Sequence, residues 1–513
     1  MKRSDYASIA DIVRVDAGYR DKTALHFAGQ AYSYAELDRR STGVANALAA
    51  AGVKAGDRVA LLARNGVAFF DAMFAVARLG AMLVPINWRL SPAEIAFILD
   101  DSDPAMAIAD DDLAANLPID ARPVFMIRDA GGRIDVPLAG SVPDAAADGT
   151  GAALIVYTSG TTGQPKGAMI SHDNLARHCG LDAADVPRWY GMDRTDICLV
   201  ALPLFHVGAL ELAIRPLFTG ATVVLHREVD PARIIDDIAR YGVTMTGLVP
   251  AALQMLLDHP SAEGAHFSSL RKLFYGAAPI PLDLLKRGLE RMECDFLQSY
   301  GMTEASGSCS MLAPRDHDDR TAERLRSAGR PLPGVEMRIN GDDGNPLPPR
   351  AVGEIMVRGQ NVMIGYWRRP DATVATIVAG GWLRSGDAGY IDEDGFVYVC
   401  DRIKDMICSG GENIYPAEVE GAIHGHPQVA EVAVIGVPHP RWGESVAAIV
   451  VPLPGHAPSA DDLIAWARTR IAAFKAPKTI TFVDALPRNA AGKVLRRELR
   501  ALHTTSLEKV PHD

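Results

Sequence analysis

Between residues 59 and 242 the chain repeats one pattern: a short apolar run, a segment with helical periodicity, then another apolar run. VALLA (59–63), AMLVPI (81–86), AMAIAD (105–110), ALIVYT (153–158), DICLVAL (196–202) and ATVVLH (221–226) have the length and composition of buried strands. DPARIIDDIARYG (230–242) carries the spacing of an amphipathic helix. Strand and helix in turn predict an α/β fold with largely parallel sheets. At 513 residues, 48% of them apolar, the chain exceeds what one hydrophobic core supports, so at least two domains are expected.

The pattern changes near residue 330. RINGDDGNPLPPRAVGEIMVRG and GYIDEDGFVYVCDRIKDMI are rich in turns, with strand alternation between them, which predicts a β-rich subdomain. Beyond it, AEVAVIGVPH (430–439), ESVAAIVVPL (444–453) and the helical DDLIAWARTRIAAF (461–474) predict a small α+β domain. The expected division is a large domain over 1–400, a charged connection at 401–405, and a C-terminal domain over 406–513.

Several classes are disfavoured. A net charge of −11 lacks the basic footprint of a nucleic-acid binder. Six cysteines without CxxC pairs or regular spacing suit reduced thiols, and MKRSDYASIADIV has no apolar core of a secretory signal, so a cytoplasmic protein is expected. The most apolar region, 59–86, is interrupted by Arg64, Asn65, Asp71 and Arg78, too often for a membrane span.

YTSGTTGQPKG (157–167) follows the apolar run ALIV. Its small residues leave backbone N–H groups free to converge on an anion, its hydroxyls add donors, and Lys166 adds one charge, a combination suited to polyphosphate. The P-loop pattern GxxxxGK[ST] does not fit, because this lysine follows proline and precedes glycine.

Together with YGMTE (300–304), RSGD (384–387), DRIKD (401–405) and PRNAAGK (487–493), that run resembles the adenylate-forming superfamily of acyl-CoA synthetases, luciferases and peptide-synthetase adenylation domains. The motifs stand in the family's order and span nearly the whole chain. The resemblance implies a large N-terminal domain of layered βα subdomains and a mobile C-terminal domain. It also implies two steps: a carboxylate attacks the α-phosphate of ATP to give an acyl-adenylate and pyrophosphate, and a thiol, here CoA, then displaces AMP.

The same resemblance assigns residues. Thr158, Ser159, Gly160, Thr161, Thr162, Gly163 and Lys166 hold the β- and γ-phosphates; Glu304 and Thr158 hold Mg²⁺, a hard ion satisfied by few protein oxygens; Thr303 meets the α-phosphate. Gly276, Ala277 and Ala278, with Tyr300 and Gly301, bracket adenine. Asp387 accepts both ribose hydroxyls, as a carboxylate's two oxygens allow, and Arg402 reaches the same sugar. Lys493 bridges carboxylate and α-phosphate. Lys404 marks the hinge on which the small domain turns between steps, and Ser409, Gly410 and Gly411 then face the pantetheine tunnel. Arg441 and Trp442 read equally as a contact to the CoA nucleotide or as packed core.

In LPLFHVGAL (202–210), His206 is expected beside the substrate carboxylate. Peptide-synthetase adenylation domains usually carry aspartate near this point to hold an α-amine, so an amino-acid substrate is disfavoured. Val207, Gly208, Ala209, Leu210, Val249, Ala277 and Met302 offer small or apolar linings. They point to an aliphatic or aromatic monocarboxylic acid; the first expectation is a medium- to long-chain fatty acid, and the alternatives are an aryl acid of the hydroxycinnamate or benzoate type, or loading of a carrier protein. A homo-oligomer is compatible with the sequence.

Overall fold

The computed structural model describes residues 8–14, 19–118, 123–136, 149–158, 164–179, 190–318, 323–410, 412–488 and 494–500, without the side chains of 177–179. The chain forms two compact units. One comprises Met1–Ala278, Lys286–Met337 and Met356–Ser385; the other comprises Pro279–Leu285, Arg338–Ile355 and Gly386–Asp513.

The first unit holds two large sheets. In the nine-stranded sheet, Asp295–Met302, Lys272–Gly276, Met245–Leu248, Ile197–Val200, Thr222–Leu225 and Thr23–Phe27 lie side by side and parallel. In the eight-stranded sheet, Ala152–Thr158, Met82–Ile86, Arg58–Leu62, Met106–Asp110 and Val124–Arg128 do the same. All six apolar runs expected as strands are strands, and the 230–242 segment is the helix Pro231–Tyr241, opened by Asp230, whose carboxylate accepts from the Arg233 N–H, and closed by Gly242 at φ +62°.

One hydrophobic core takes Val59, Leu83 and Leu154 from the eight-stranded sheet and Leu25, Cys198, Val223 and Met245 from the nine-stranded one. The helix Val67–Arg78 is buried on every side, which explains why its sequence is apolar all round. Its Asp71 is the exception: 2% exposed, it accepts from Arg40 Nε at 3.1 Å and Nη2 at 2.6 Å. Burial pushes the Asp71 carboxyl up to about 6 against the opposing pull of Arg40. A carboxyl raised in the folded state favours folding in acid and loses that contribution as pH rises through its folded value. Arg40→Ala is therefore expected to destabilise the protein by roughly 3–5 kcal/mol by orphaning a buried charge. In thermal melts the deficit should be larger at pH 8 than at pH 5, where the carboxyl can take up a proton. An equal deficit at both would refute the charge account.

In the second unit, Val397–Arg402 pairs antiparallel with the far half of Trp382–Ile391. Residues 338–340 of the strand Val335–Asn340 and 353–355 of Gly353–Gly359 belong to the same unit, within the β-rich stretch expected after residue 330. A further sheet contains Glu412–Ile414, Ile407–Ser409, Gly443–Pro452 and Val429–His439, with Thr479–Phe482 parallel to Gly443–Pro452. Helices Pro416–His424 and Ala460–Arg468 pack on it through Val419, Ile423, Leu463 and Ala467. The second helix is shorter than the expected 461–474, stopping at Thr469.

Candidate active site

Parallel strands discharge their loops at one edge, the usual place for a ligand in α/β sheets. In the first unit this edge gathers the loops after Ile197–Val200, Met245–Leu248, Lys272–Gly276 and Asp295–Met302, and hence His206, Gly276 to Ala278, Tyr300, Gly301, Thr303 and Glu304.

Glu304 occupies the turn Thr303–Ala305, closed by Ser306 in the left-handed region at φ +57°. Its Oε1 accepts from Thr158 Oγ1 at 3.2 Å and from the Tyr366 hydroxyl at 2.9 Å. Lys166, opposite Thr158 on the neighbouring strand, places its Nζ 4.7 Å from the Tyr366 ring centroid. Thr158, Lys166, Glu304 and Tyr366 thus meet in one corner. Among the described residues Glu304 Oε2 accepts no hydrogen bond, leaving a carboxylate oxygen beside a threonine hydroxyl. Such hard oxygen donors suit Mg²⁺ bound largely through water and phosphate. Ser159 to Gly163 lie outside the described residues.

Asp101 braces this corner from behind. It accepts from the Tyr157 hydroxyl at 2.6 Å and from Arg369 at 3.0 Å, while its carbonyl accepts from Trp367 Nε1. Burial, then the bond to Asp101, pushes the Tyr157 phenol well above its usual range, so it remains a donor. Gly167 has no room for a side chain: a Cβ there would lie 2.6 Å from Ile155 Cγ2.

The adenine candidates stand on adjacent strands, Gly276 opposite Ser299 and next to Tyr300. A Cβ on Gly276 would lie 2.1 Å from the Ser299 carbonyl oxygen, so only glycine permits this approach. His206 caps the helix Val207–Thr219, exposed, its ring 4.4 Å from that of Phe205. Of the proposed acid linings, Val207 and Leu210 pack into the core and Ala209 is buried. Gly208 alone of the four is exposed, with no atom within 4 Å of where a Cβ would stand.

In the second unit, Asp387 is 5% exposed and sits opposite Arg402, whose Nε lies 2.9 Å from Asp387 Oδ1. The Gly386 N–H donates to Glu354 at 3.1 Å, fixing the turn before Asp387. Lys404 is exposed in the turn Ile403–Asp405. That turn is anchored through Asp405, which pairs with Arg500 at 3.3 Å and Arg496 at 3.7 Å. Ser409 pairs with Glu412 and Gly443, and the Gly410 N–H donates to the Trp442 carbonyl at 2.8 Å. Trp442 is stacked on His439 at 4.3 Å. Gly411 and Lys493 lie outside the described residues; Arg488 and Val494 bridge on either side of the lysine segment.

Two residues escaped the sequence reading. Tyr366, 62 positions from Glu304, gives no local signal. Glu211 gave one, a carboxylate that with Arg215, four residues on, interrupts the apolar run VGALELAIRPLF.

Residues 13–367 match the AMP-binding enzyme family and residues 418–493 its C-terminal domain. The chain belongs to the AMP-binding enzyme family. Within it, the chain is an ATP-dependent acid–CoA ligase of the adenylate-forming superfamily that uses ATP, Mg²⁺ and CoA. It is 44% identical to a feruloyl-CoA synthase of an Amycolatopsis species over 93% of this chain and 95% of that protein. It is 39% identical to the fatty acid–[acyl-carrier-protein] ligase ScoC of Streptomyces coeruleorubidus, covering 92% of each. The structure of o-succinylbenzoate coenzyme A synthetase from Bacillus subtilis in complex with ATP and magnesium ion superposes with a TM-score of 0.83 at 34% identity, covering 96% of this chain and 98% of that one. No helix among the described residues is long and apolar enough to cross a membrane.

Proposed function

We propose that this ligase activates an aryl acid of the hydroxycinnamate or benzoate type, acting in the cytoplasm, rather than the medium- to long-chain fatty acid that was the first expectation. The observation carrying this reading is the 44% identity to a feruloyl-CoA synthase along nearly the full chain. The exposed Gly208 at the start of the 207–219 helix supports it, since an absent side chain leaves room for a flat ring.

The first step develops charge on the α-phosphate and on the leaving pyrophosphate, and the site's residues answer that charge. Thr158 to Gly163 and Lys166 hold the phosphate tail. Glu304 and Thr158 would hold Mg²⁺, which neutralises phosphate charge when bound. Thr303 meets the α-phosphate, and Tyr366 keeps the Glu304 carboxylate oriented. Gly276 to Ala278, Tyr300 and Gly301 receive adenine, while Asp387 and Arg402 receive ribose. His206, ahead of a helix N-terminus, receives the acid's carboxylate, a place that favours negative charge. Lys493 bridges that carboxylate and the α-phosphate. For the second step the domain 406–513 turns on residues 401–405, at Lys404, and brings Ser409 to Gly411 to the thiol path.

A panel of short- to long-chain fatty acids, benzoates and hydroxycinnamates, scored by AMP release with CoA present, tests the substrate. Hydroxycinnamates are expected to exceed any fatty acid in kcat/KM by roughly 10²-fold, the discrimination that pocket shape commonly supplies. Faster turnover of a fatty acid than of every aromatic acid would overturn the reading.

A further inference from the structure

The 207–219 helix carries a buried carboxylate that nothing above has used. Glu211 is 9% exposed and shares a helix face with the exposed Gly208, one turn before it. The next residue, Leu212, lies against Gly247, so close that a Cβ there would stand 2.2 Å from Leu212 Cδ1. Among the described residues no Lys, Arg or His pairs with Glu211. It is held by neutral donors instead: the Ser308 N–H at 3.2 Å and Ser308 hydroxyl at 2.9 Å on Oε2, and the Tyr190 hydroxyl at 3.4 Å on Oε1. Ser308 in turn meets the Ser299 hydroxyl at 2.7 Å.

The order of these bonds fixes the direction of every proton. Glu211 Oε2 already accepts from the Ser308 N–H, and Ser308 Oγ donates to the same oxygen. Ser308 has one hydroxyl proton, so toward Ser299 it can only accept. Ser299 must then give its own proton to Ser308, and its oxygen is left with lone pairs alone. Glu211 and Ser308 are buried, at 9% and 7%, whereas Ser299 is only partly buried, immediately before Tyr300. The chain of hydroxyls therefore ends, at its more open end, in an acceptor.

We infer that Ser299, Ser308 and Glu211 form a specificity relay that accepts a hydrogen bond from the phenolic hydroxyl of the aryl acid. The inference rests on the aryl-acid reading and narrows it. A phenol is the donor that this acceptor completes; a ring bearing hydrogen in that place leaves it without a partner, and a ring bearing a second carboxylate brings an acceptor and a like charge toward Glu211. Ser299 is the contacting residue, and Ser308 and Glu211 position it.

The test compares kcat/KM for 4-hydroxycinnamate and cinnamate, in the wild type and in Ser299→Ala, with thermal melts to verify folding. The wild type is expected to prefer the phenol by roughly 10- to 100-fold, and Ser299→Ala to bring that ratio to within about threefold of one. Glu211→Gln, which removes the charge and keeps the shape, is expected to raise kcat/KM for 2-succinylbenzoate relative to cinnamate by roughly tenfold. Equal turnover of both cinnamates by the wild type, or an unchanged ratio in Ser299→Ala, would overturn the relay while leaving the aryl-acid reading intact. Turnover of neither cinnamate alongside rapid turnover of a fatty acid would overturn both.

Discussion

Lys493→Ala is expected to slow acyl-adenylate formation by roughly 10²- to 10³-fold, the scale of losing one preorganised group that meets charge only as it develops. A lysine ammonium is a compact point charge on a flexible stem, and its place in RNAAGKVLRR lets it extend toward two anions that otherwise repel each other. Attack of a carboxylate on a triphosphate is slow because both partners are negative, so a cation between them lowers the barrier more than it tightens substrate binding. The loss should therefore appear in the rate of the first step, read by ATP–pyrophosphate exchange, with little change in the KM for ATP. Thioester formation from supplied acyl-adenylate should change far less, because the anhydride already exists. Equal losses in both steps would refute the division of labour.

Glu304→Gln is expected to reduce ATP–pyrophosphate exchange by a comparable 10²- to 10³-fold and to raise the Mg²⁺ concentration needed for half-maximal rate. The substitution keeps the side chain's shape but removes the charge at the corner where Thr158, Lys166 and Tyr366 meet. The neighbouring contacts supply a graded control. Tyr366→Phe removes one hydrogen bond to the carboxylate at 2.9 Å and leaves the ring beneath Lys166 in place. Hydrogen bonds to charged groups contribute about 1.5–3 kcal/mol, so this variant should lose on the order of tenfold, again with a shifted Mg²⁺ requirement. A tyrosine serving only the fold would change melting temperature without moving the Mg²⁺ dependence.

The contacts of the candidate site differ in how local they are in sequence. Asp387 and Arg402 are 15 residues apart and belong to one antiparallel pair, so a strand, a turn and a second strand bring them to 2.9 Å. Thr158 and Lys166 likewise face each other across one short loop. Contacts of this range follow from strand pairing and were legible as motifs. Glu211 and Ser308 are 97 residues apart, and no pattern in either segment points to the other.

The acid linings illustrate a second difficulty. VGAL was read as four consecutive neighbours of the substrate, but a helix turns about 100° per residue. Val207 and Leu210 consequently point into the core, Gly208 opens outward, and the next positions on that face are Glu211 and Leu212. The register was computable from the apolar pattern, whereas the facing strand was not.

Apolar period and length alone determined the strands, the crossover helices and hence the parallel sheets, because burial of one face is a local demand on every segment. The loop YTSGTTGQPKG and the motifs that follow it likewise announced nucleotide chemistry, since small residues and a lone lysine have few other uses beside a buried strand. Only the tertiary structure decided which oxygens Glu304 shares, and that a carboxylate stands beneath Ser299. Those contacts depend on the order in which strands join a sheet, which is settled by the packing of the whole unit and not by any stretch within it.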